Sequence, residues 1–153
     1  MEKDFIFGRV DSFAIEISEK SKSALLKLWI NGKSYGDYKK RGELIHSIQN
    51  LSLLLEHLDT LKENIFDTMP PKEIFSWLLS MDVQEDYEKR KKYIRFLGDQ
   101  MDNISMFSYL RGEKLEWGFY NVKTKKIHTQ QIDKNVIIDV CTEYIQWYSS
   151  LAN

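Results

Sequence analysis

The chain has 153 residues, of which 42% are hydrophobic and 13% aromatic, enough apolar material for one packed core. We therefore expect one domain spanning residues 1–153, and this composition excludes an intrinsically disordered chain. The 22 Lys and Arg residues balance 23 Asp and Glu residues, so no uniform charge favours nucleic acid or a membrane surface as the partner.

The first predicted elements are strands. Apolar residues alternate with small or polar ones over residues 13–18, and Ala24, Leu26, Leu28 and Ile30 alternate with Leu25, Lys27 and Trp29. A period of two is typical of half-buried strands. Asn31-Gly32 follows and supplies the two positive-φ positions of a type I′ turn. The sequence therefore predicts that Lys33 to Tyr38 folds back on Leu25 to Ile30 as a hairpin.

Helices are predicted next. From Gly42 onward, apolar residues recur at steps of three and four, as on one face of a helix. These residues are Leu44, Ile45, Ile48, Leu51, Leu55 and Leu58. Pro71 suits the first turn of a second helix, because that position needs no N–H donor. An acidic-to-basic run over residues 85–92 predicts a third helix with Gly98 as its terminator, although Tyr93 to Leu97 also suits an extended strand.

The C-terminal third reads as strands followed by a helix. Three segments with strand composition predict a meander over residues 104–111, 114–121 and 126–132. Asp133 is a candidate N-cap for a final helix whose apolar stripe runs from Val136 to Tyr148. Because strands and helices are segregated along the chain, we predict an α+β fold: an antiparallel sheet of about six strands with helices packed mainly on one face.

Few residues suit catalysis or metal binding. His46 and His57 are separated by about 16 Å along one helix, too far to bind the same ion. We interpret these two and His128 as non-catalytic histidines. The single cysteine, Cys141, lies on the apolar stripe of the last helix and is interpreted as a buried structural thiol. Neither a nucleophile elbow nor a glycine-rich phosphate loop is present, so we expect no enzymatic activity, no cofactor and no bound metal.

Two charged clusters have alternative interpretations. Asp82, Glu85 and Asp86 could bind Mg²⁺, yet acids at the start of a helix are ordinary complements of its dipole. The basic run Lys89 to Lys92 could contact phosphates, but such a run usually forms a solvated face, so we expect no nucleic-acid partner.

Charge is unevenly distributed along the chain. The stretch from Lys20 to Arg41 contains seven Lys or Arg residues and one Asp, about +6, whereas Glu56 to Glu88 contains nine acids and two lysines, about −7. The acidic stretch either forms one negative face for a basic partner or consists of helix faces that point in different directions. Both alternatives remain open.

Features of location are also predicted. The start of the sequence lacks the basic segment and apolar run of a signal peptide, so we expect a cytoplasmic protein. The most apolar stretch, Leu51 to Leu58, is much shorter than the roughly 20 residues that cross a bilayer, so no membrane association is expected.

Six short segments carry a resemblance to a known family. They are Phe7-Gly8, Phe13-Ala14-Ile15-Glu16, Trp29-Ile30-Asn31-Gly32, Gly36-Asp37, Tyr93-Ile94-Arg95-Phe96-Leu97 and Trp117-Gly118. In this pattern the chain resembles immunity family forty-two, small bacterial proteins encoded beside polymorphic or contact-dependent toxins. Glycines suit turns and close packing, and the large apolar residues suit a core, so these segments define a fold rather than a binding site.

The resemblance implies a cytosolic antidote that binds a cognate toxin domain and occludes its active site or substrate path without catalysis. No contact residue transfers by motif, so the candidate toxin-binding residues rest on charge and expected exposure. They are Glu56, Asp59, Glu63, Asp67, Asp82, Glu85 and Asp86. An acidic surface of this kind would suit a nuclease toxin with a basic substrate groove. A small enzyme, such as a nuclease or hydrolase with an unrecognised site, and a structural adaptor are the alternatives.

Overall fold

The computed structural model describes residues 5–80, 87–101 and 104–151. The strands form two four-stranded antiparallel sheets and one two-stranded pair. The N-terminal sheet has the order β1-β2-β4-β5, with β1 (Phe5–Arg9), β2 (Phe13–Ile17), β4 (Leu26–Ile30) and β5 (Lys33–Tyr35). The C-terminal sheet has the order β10-β9-β8-β7, with β7 (Ile94–Arg95), β8 (Ile104–Arg111), β9 (Lys114–Asn121) and β10 (Lys126–Asp133). The small pair joins β3 (Ser23–Ala24) to β6 (Gly42–Glu43).

Four α-helices accompany the strands. They are α1 (Ile45–His57), α2 (Pro71–Ser80), α3 (Tyr87–Lys91) and α4 (Lys134–Ser149). Short 3-10 helices cover Leu58–Thr60, Asn64–Asp67 and Asp99–Met101. The predicted α+β class with antiparallel strands is confirmed, and the strands are divided between the two four-stranded sheets and the β3–β6 pair.

The predicted hairpin around Asn31-Gly32 is confirmed. Both residues have positive φ, 52° and 85°, and Ile30 pairs with Lys33 across the turn. These are the backbone angles that a type I′ turn requires and that match the twist of the flanking strands. The returning strand ends at Tyr35 instead of Tyr38.

Strand β2 differs from the predicted half-buried pattern, because all five of its residues are buried. Glu16 is only 6% exposed, and its carboxylate accepts a hydrogen bond from the indole Nε1 of Trp29 at 2.8 Å. This cross-strand hydrogen bond gives the buried carboxylate of Glu16 a partner, so a charged residue is tolerated in the strand. Strand β1, which the sequence analysis did not predict, extends the sheet beside β2.

The C-terminal elements agree closely with prediction. The three strands of the meander pair in sequence order, and α4 begins after Asp133, which has the extended backbone of an N-cap. The Asp133 side chain makes no capping hydrogen bond, because its carboxylate pairs with Lys114 on the neighbouring strand. Helix α3 ends at Lys91, before the predicted terminator Gly98, and β7 adopts the extended alternative. The predicted start of this helix, at residues 85–86, lies outside the described residues.

Aromatic side chains join the two sheets and α4. Phe13 packs against Trp117 with ring centroids 5.6 Å apart, and Tyr35 stacks on Phe119 at 3.8 Å. Phe7 makes an edge contact with Tyr144 of α4. One hydrophobic cluster therefore includes residues of both sheets and of α1, α2 and α4.

Candidate functional site

Cys141 and the histidines do not form a reactive centre among the residues that the structure describes. Cys141 is fully buried in α4, as predicted, and burial raises the pKa of its thiol to about 12. Across the described ranges, no three His, Cys, Asp or Glu side chains converge to hold a metal ion. Thiolate chemistry is therefore suppressed at Cys141.

The structure places four of the seven candidate acidic residues. Glu56 lies near the end of α1, Asp59 and Asp67 lie in 3-10 helices, and Glu63 lies between those helices. Glu56, Asp59 and Asp67 are exposed, whereas Glu63 is partly buried. The remaining candidates, Asp82, Glu85 and Asp86, lie outside the described residues.

Two of these acids are paired with lysines that are distant in sequence. Lys134 Nζ lies 2.6 Å from the carboxylate of Asp59, and this hydrogen bond lowers the pKa of Asp59. Lys89 Nζ lies 3.5 Å from the carboxylate of Glu63. Both pairs mix positive charge into the region that is acidic in sequence. Glu56 and Asp67 have no ion pair with any other described residue.

A groove beside Glu56 has a volume of about 810 Å³. One wall is the outward side of α1, and the other is α3 and the segment that continues into β7. The lining residues are His46, Ile48, Gln49, Asn50, Ser52, Leu53, Glu56, Arg90, Lys91, Ile94 and Phe96. Its surface is therefore mostly uncharged, with charged residues contributed by the end of α1 and by α3.

The groove has two chemically different ends. At one end the His46 ring lies 5.7 Å from the ring of Phe96, whose side chain remains 49% exposed. Glu56 lies ten residues beyond His46 on α1, which is about 15 Å along the helix axis. Arg90 and Lys91 line the groove from the opposite wall. His46 and Glu56 are thus too far apart to act together on one substrate atom.

Hydrogen bonds from two side chains hold the walls of the groove together. Asn50 of α1 donates its amide to the carbonyl of Ile94 at 3.1 Å. The guanidinium of Arg95 donates to the carbonyl of Asn50 at 3.3 Å and also to the carbonyl of Lys92. Arg95 is only 2% exposed, and burial lowers the pKa of its guanidinium. Because these bonds connect α1 directly to β7, the groove is preformed.

Phe96 was not a candidate binding residue in the sequence analysis, where it was named only within one of the segments that carry the family resemblance. The alternation over 93–97 places Tyr93, Arg95 and Leu97 inside and leaves Phe96 exposed. Side-chain polarity would predict the opposite assignment for Arg95 and Phe96. The alternation typical of a strand was therefore visible in the sequence. It does not show which face of the strand is buried, because that depends on the contact with α1.

Comparison with known proteins gives one family match. A model of the family described as Immunity protein 42 matches residues 5–147. Searches of curated proteins and of solved structures found no match. In the described part of the chain, no helix is both long and apolar enough to span a bilayer.

Proposed function

The chain belongs to the Immunity protein 42 family, and on this basis we propose that it binds a cognate bacterial toxin domain and neutralises it. The family match over residues 5–147 is the observation that carries the proposal. In this proposal the protein acts in the cytoplasm as part of a polymorphic or contact-dependent toxin system, and it blocks the active site or substrate path of the toxin. Binding alone is sufficient, so no catalytic step, cofactor or metal is required.

The acidic residues of the α1 end and the following 3-10 helices are the proposed electrostatic contacts. Glu56 and Asp67 are exposed and are not neutralised by another described residue. Asp59 and Glu63 would first have to exchange their lysine partners for groups of the toxin. A toxin with a basic substrate groove, such as a nuclease, would present suitable partners and would be steered towards this region.

Co-expression with the cognate toxin domain tests the proposed function. We expect the wild-type chain to restore growth of cells that produce the toxin domain and to form a complex with it that survives gel filtration. A folded chain that neither protects the cells nor binds the purified toxin domain would disprove the proposal.

Charge reversal tests the acidic contacts separately. We expect Glu56→Lys combined with Asp67→Lys to weaken toxin binding by at least about tenfold, because each new lysine repels a basic partner. Asp139 and Glu143 are exposed acids on α4 and provide the matched control pair for the same substitutions. Equal affinities of the two double variants, measured by calorimetry, would exclude a specific role for Glu56 and Asp67.

A further inference from the structure

We infer that the groove between α1 and the α3–β7 segment receives one segment of the toxin domain, with a large apolar side chain against Phe96 and a carboxylate towards Arg90. This inference rests on the function proposed above and assigns it a second, apolar contact region. It differs from the acidic contacts because it depends on shape and on desolvation of an aromatic ring.

The exposure of Phe96 is the first argument. Nearly half of its side chain is open to solvent, and the neighbouring Ile94 is only partly buried. Exposed aromatic residues in a concave, polar-rimmed surface are typical of the residues that dominate the binding energy of protein interfaces. Gln49 and Ser52 provide such a rim along the exposed side of α1.

The dimensions of the groove favour a polypeptide segment as its occupant. The lined part of α1 runs from His46 to Glu56, about 15 Å or nearly three helical turns. A segment of this length can place one side chain at the Phe96 end and a charged residue at the α3 end. Catalysis on a small substrate is disfavoured, because the imidazole and the carboxylate that line the groove lie at its opposite ends.

The charged end of the groove indicates which charge the bound segment should carry there. Arg90 lines the groove from α3 and has no ion pair with another described residue, so a carboxylate of the bound segment is complementary to it. The hydrogen bonds made by Asn50 and Arg95 hold the two walls of the groove in place before binding. This reduces the conformational entropy that is lost when the complex forms.

Three substitutions test the inference against the purified toxin domain. Phe96→Ala removes the exposed ring and should raise the dissociation constant at least about tenfold. Gln49→Trp fills the groove without removing an apolar contact and should weaken binding similarly. Arg90→Gln should weaken binding and make it less sensitive to salt, because it removes the charged partner of the carboxylate. Ile138→Ala is the control, because Ile138 is an exposed apolar residue on α4.

The outcomes separate this inference from the proposed function. Wild-type protection together with unchanged affinity of Phe96→Ala and Gln49→Trp would overturn the groove assignment and leave the antidote role intact. Failure of the wild-type chain to bind the toxin domain would overturn both. If Phe96→Ala instead abolished self-association of the chain in sedimentation experiments without changing toxin affinity, a second copy would be the occupant and the inference would be wrong.

Discussion

His128 lies at the contact between the two sheets, on a strand that also forms one edge of the C-terminal sheet. Its Nε2 is 2.8 Å from the Tyr35 hydroxyl, which also accepts a hydrogen bond from the Gln130 amide at 2.9 Å. A neutral imidazole can accept a hydrogen bond from the Tyr35 hydroxyl at Nε2, whereas a protonated ring cannot. Partial burial and the nearby ammonium of Lys33 both lower the pKa of His128.

Stability should therefore fall in mildly acidic solution. The pKa of His128 is lower in the folded chain than its ordinary value of about 6.5, so the unfolded chain takes up the proton first. The contribution of His128 is fully present above about pH 6.5 and is lost as the pH falls from there towards the lowered folded pKa. Because the ring is partly exposed, we expect a loss below about 1 kcal/mol, measurable by urea unfolding across this range.

The variant His128→Gln isolates this effect from the other histidines. Glutamine keeps a hydrogen-bonding group near Tyr35 but does not titrate, so the variant should lose less stability on acidification than the wild-type chain. His57→Gln is the comparison, because His57 lies on α1 and belongs to neither of the two sheets. Parallel pH profiles for wild type and His128→Gln would contradict the assignment.

Residue-level predictions from sequence succeeded where one short segment decides the outcome. Cys141 is buried because it shares a helical stripe with Val140 and Tyr144, and that stripe is visible in the sequence. The partners of Asp59 and Glu63 could not be found in this way, since Lys134 and Lys89 reach them only after folding. The same reason explains why the groove residue Phe96 was missed.

At the scale of elements, the turn at Asn31-Gly32 also connects the two sheets. The Asn31 amide donates to Gln130 Oε1 at 3.1 Å and to the carbonyl of Gln131 at 3.2 Å, and both acceptors belong to β10. The turn that closes the β4–β5 hairpin therefore fixes the N-terminal sheet against the C-terminal sheet. One side chain serves local and long-range structure together.

Two substitutions at Asn31 separate these contributions. Asn31→Gly tolerates the positive φ but loses the hydrogen bonds to β10, and should lower the free energy of unfolding by about 1 kcal/mol. Asn31→Ala loses the same bonds and is also strained at φ 52°, so a loss of about 2 kcal/mol is expected. Chemical denaturation measures both values, and Asn135→Ala on α4 is the exposed control. Equal losses for the Gly and Ala variants would exclude backbone strain.

Local patterns predicted most elements, but not how strands are grouped into sheets. The hairpin and the meander depend on neighbouring segments and turn residues, and both were predicted. Strand β7 was predicted only as an alternative to a longer helix, and its pairing with β8 is not visible in the local sequence pattern. Strand β1 contains Gly8 at φ 93°, where a Cβ would lie 2.3 Å from the Phe13 carbonyl, so its pairing depends on a close approach that periodicity does not reveal.

At the scale of the whole molecule, the segments that carry the family resemblance contribute to a shared scaffold. Phe13 and Trp117 belong to different sheets and pack directly on each other. Helix α4 contacts β1, β2 and β10, so it touches both sheets. Apart from Phe96, the proposed toxin contacts lie outside these segments, on the outward side of α1, in the turns after it and on α3. A scaffold common to a family can in this way carry different binding surfaces.

The shared core predicts that residues 1–153 unfold as a single domain. The four tryptophans report on different elements: Trp29 on β4, Trp77 on α2, Trp117 on β9 and Trp147 on α4. Because the sheets share buried aromatic contacts, neither sheet should remain folded when the other has unfolded. We expect one urea transition with the same midpoint by tryptophan fluorescence and by far-ultraviolet circular dichroism. Variants that retain a single tryptophan, at position 29 or 117, test the point directly, and different midpoints for the two sheets would show that the chain has separate folding units.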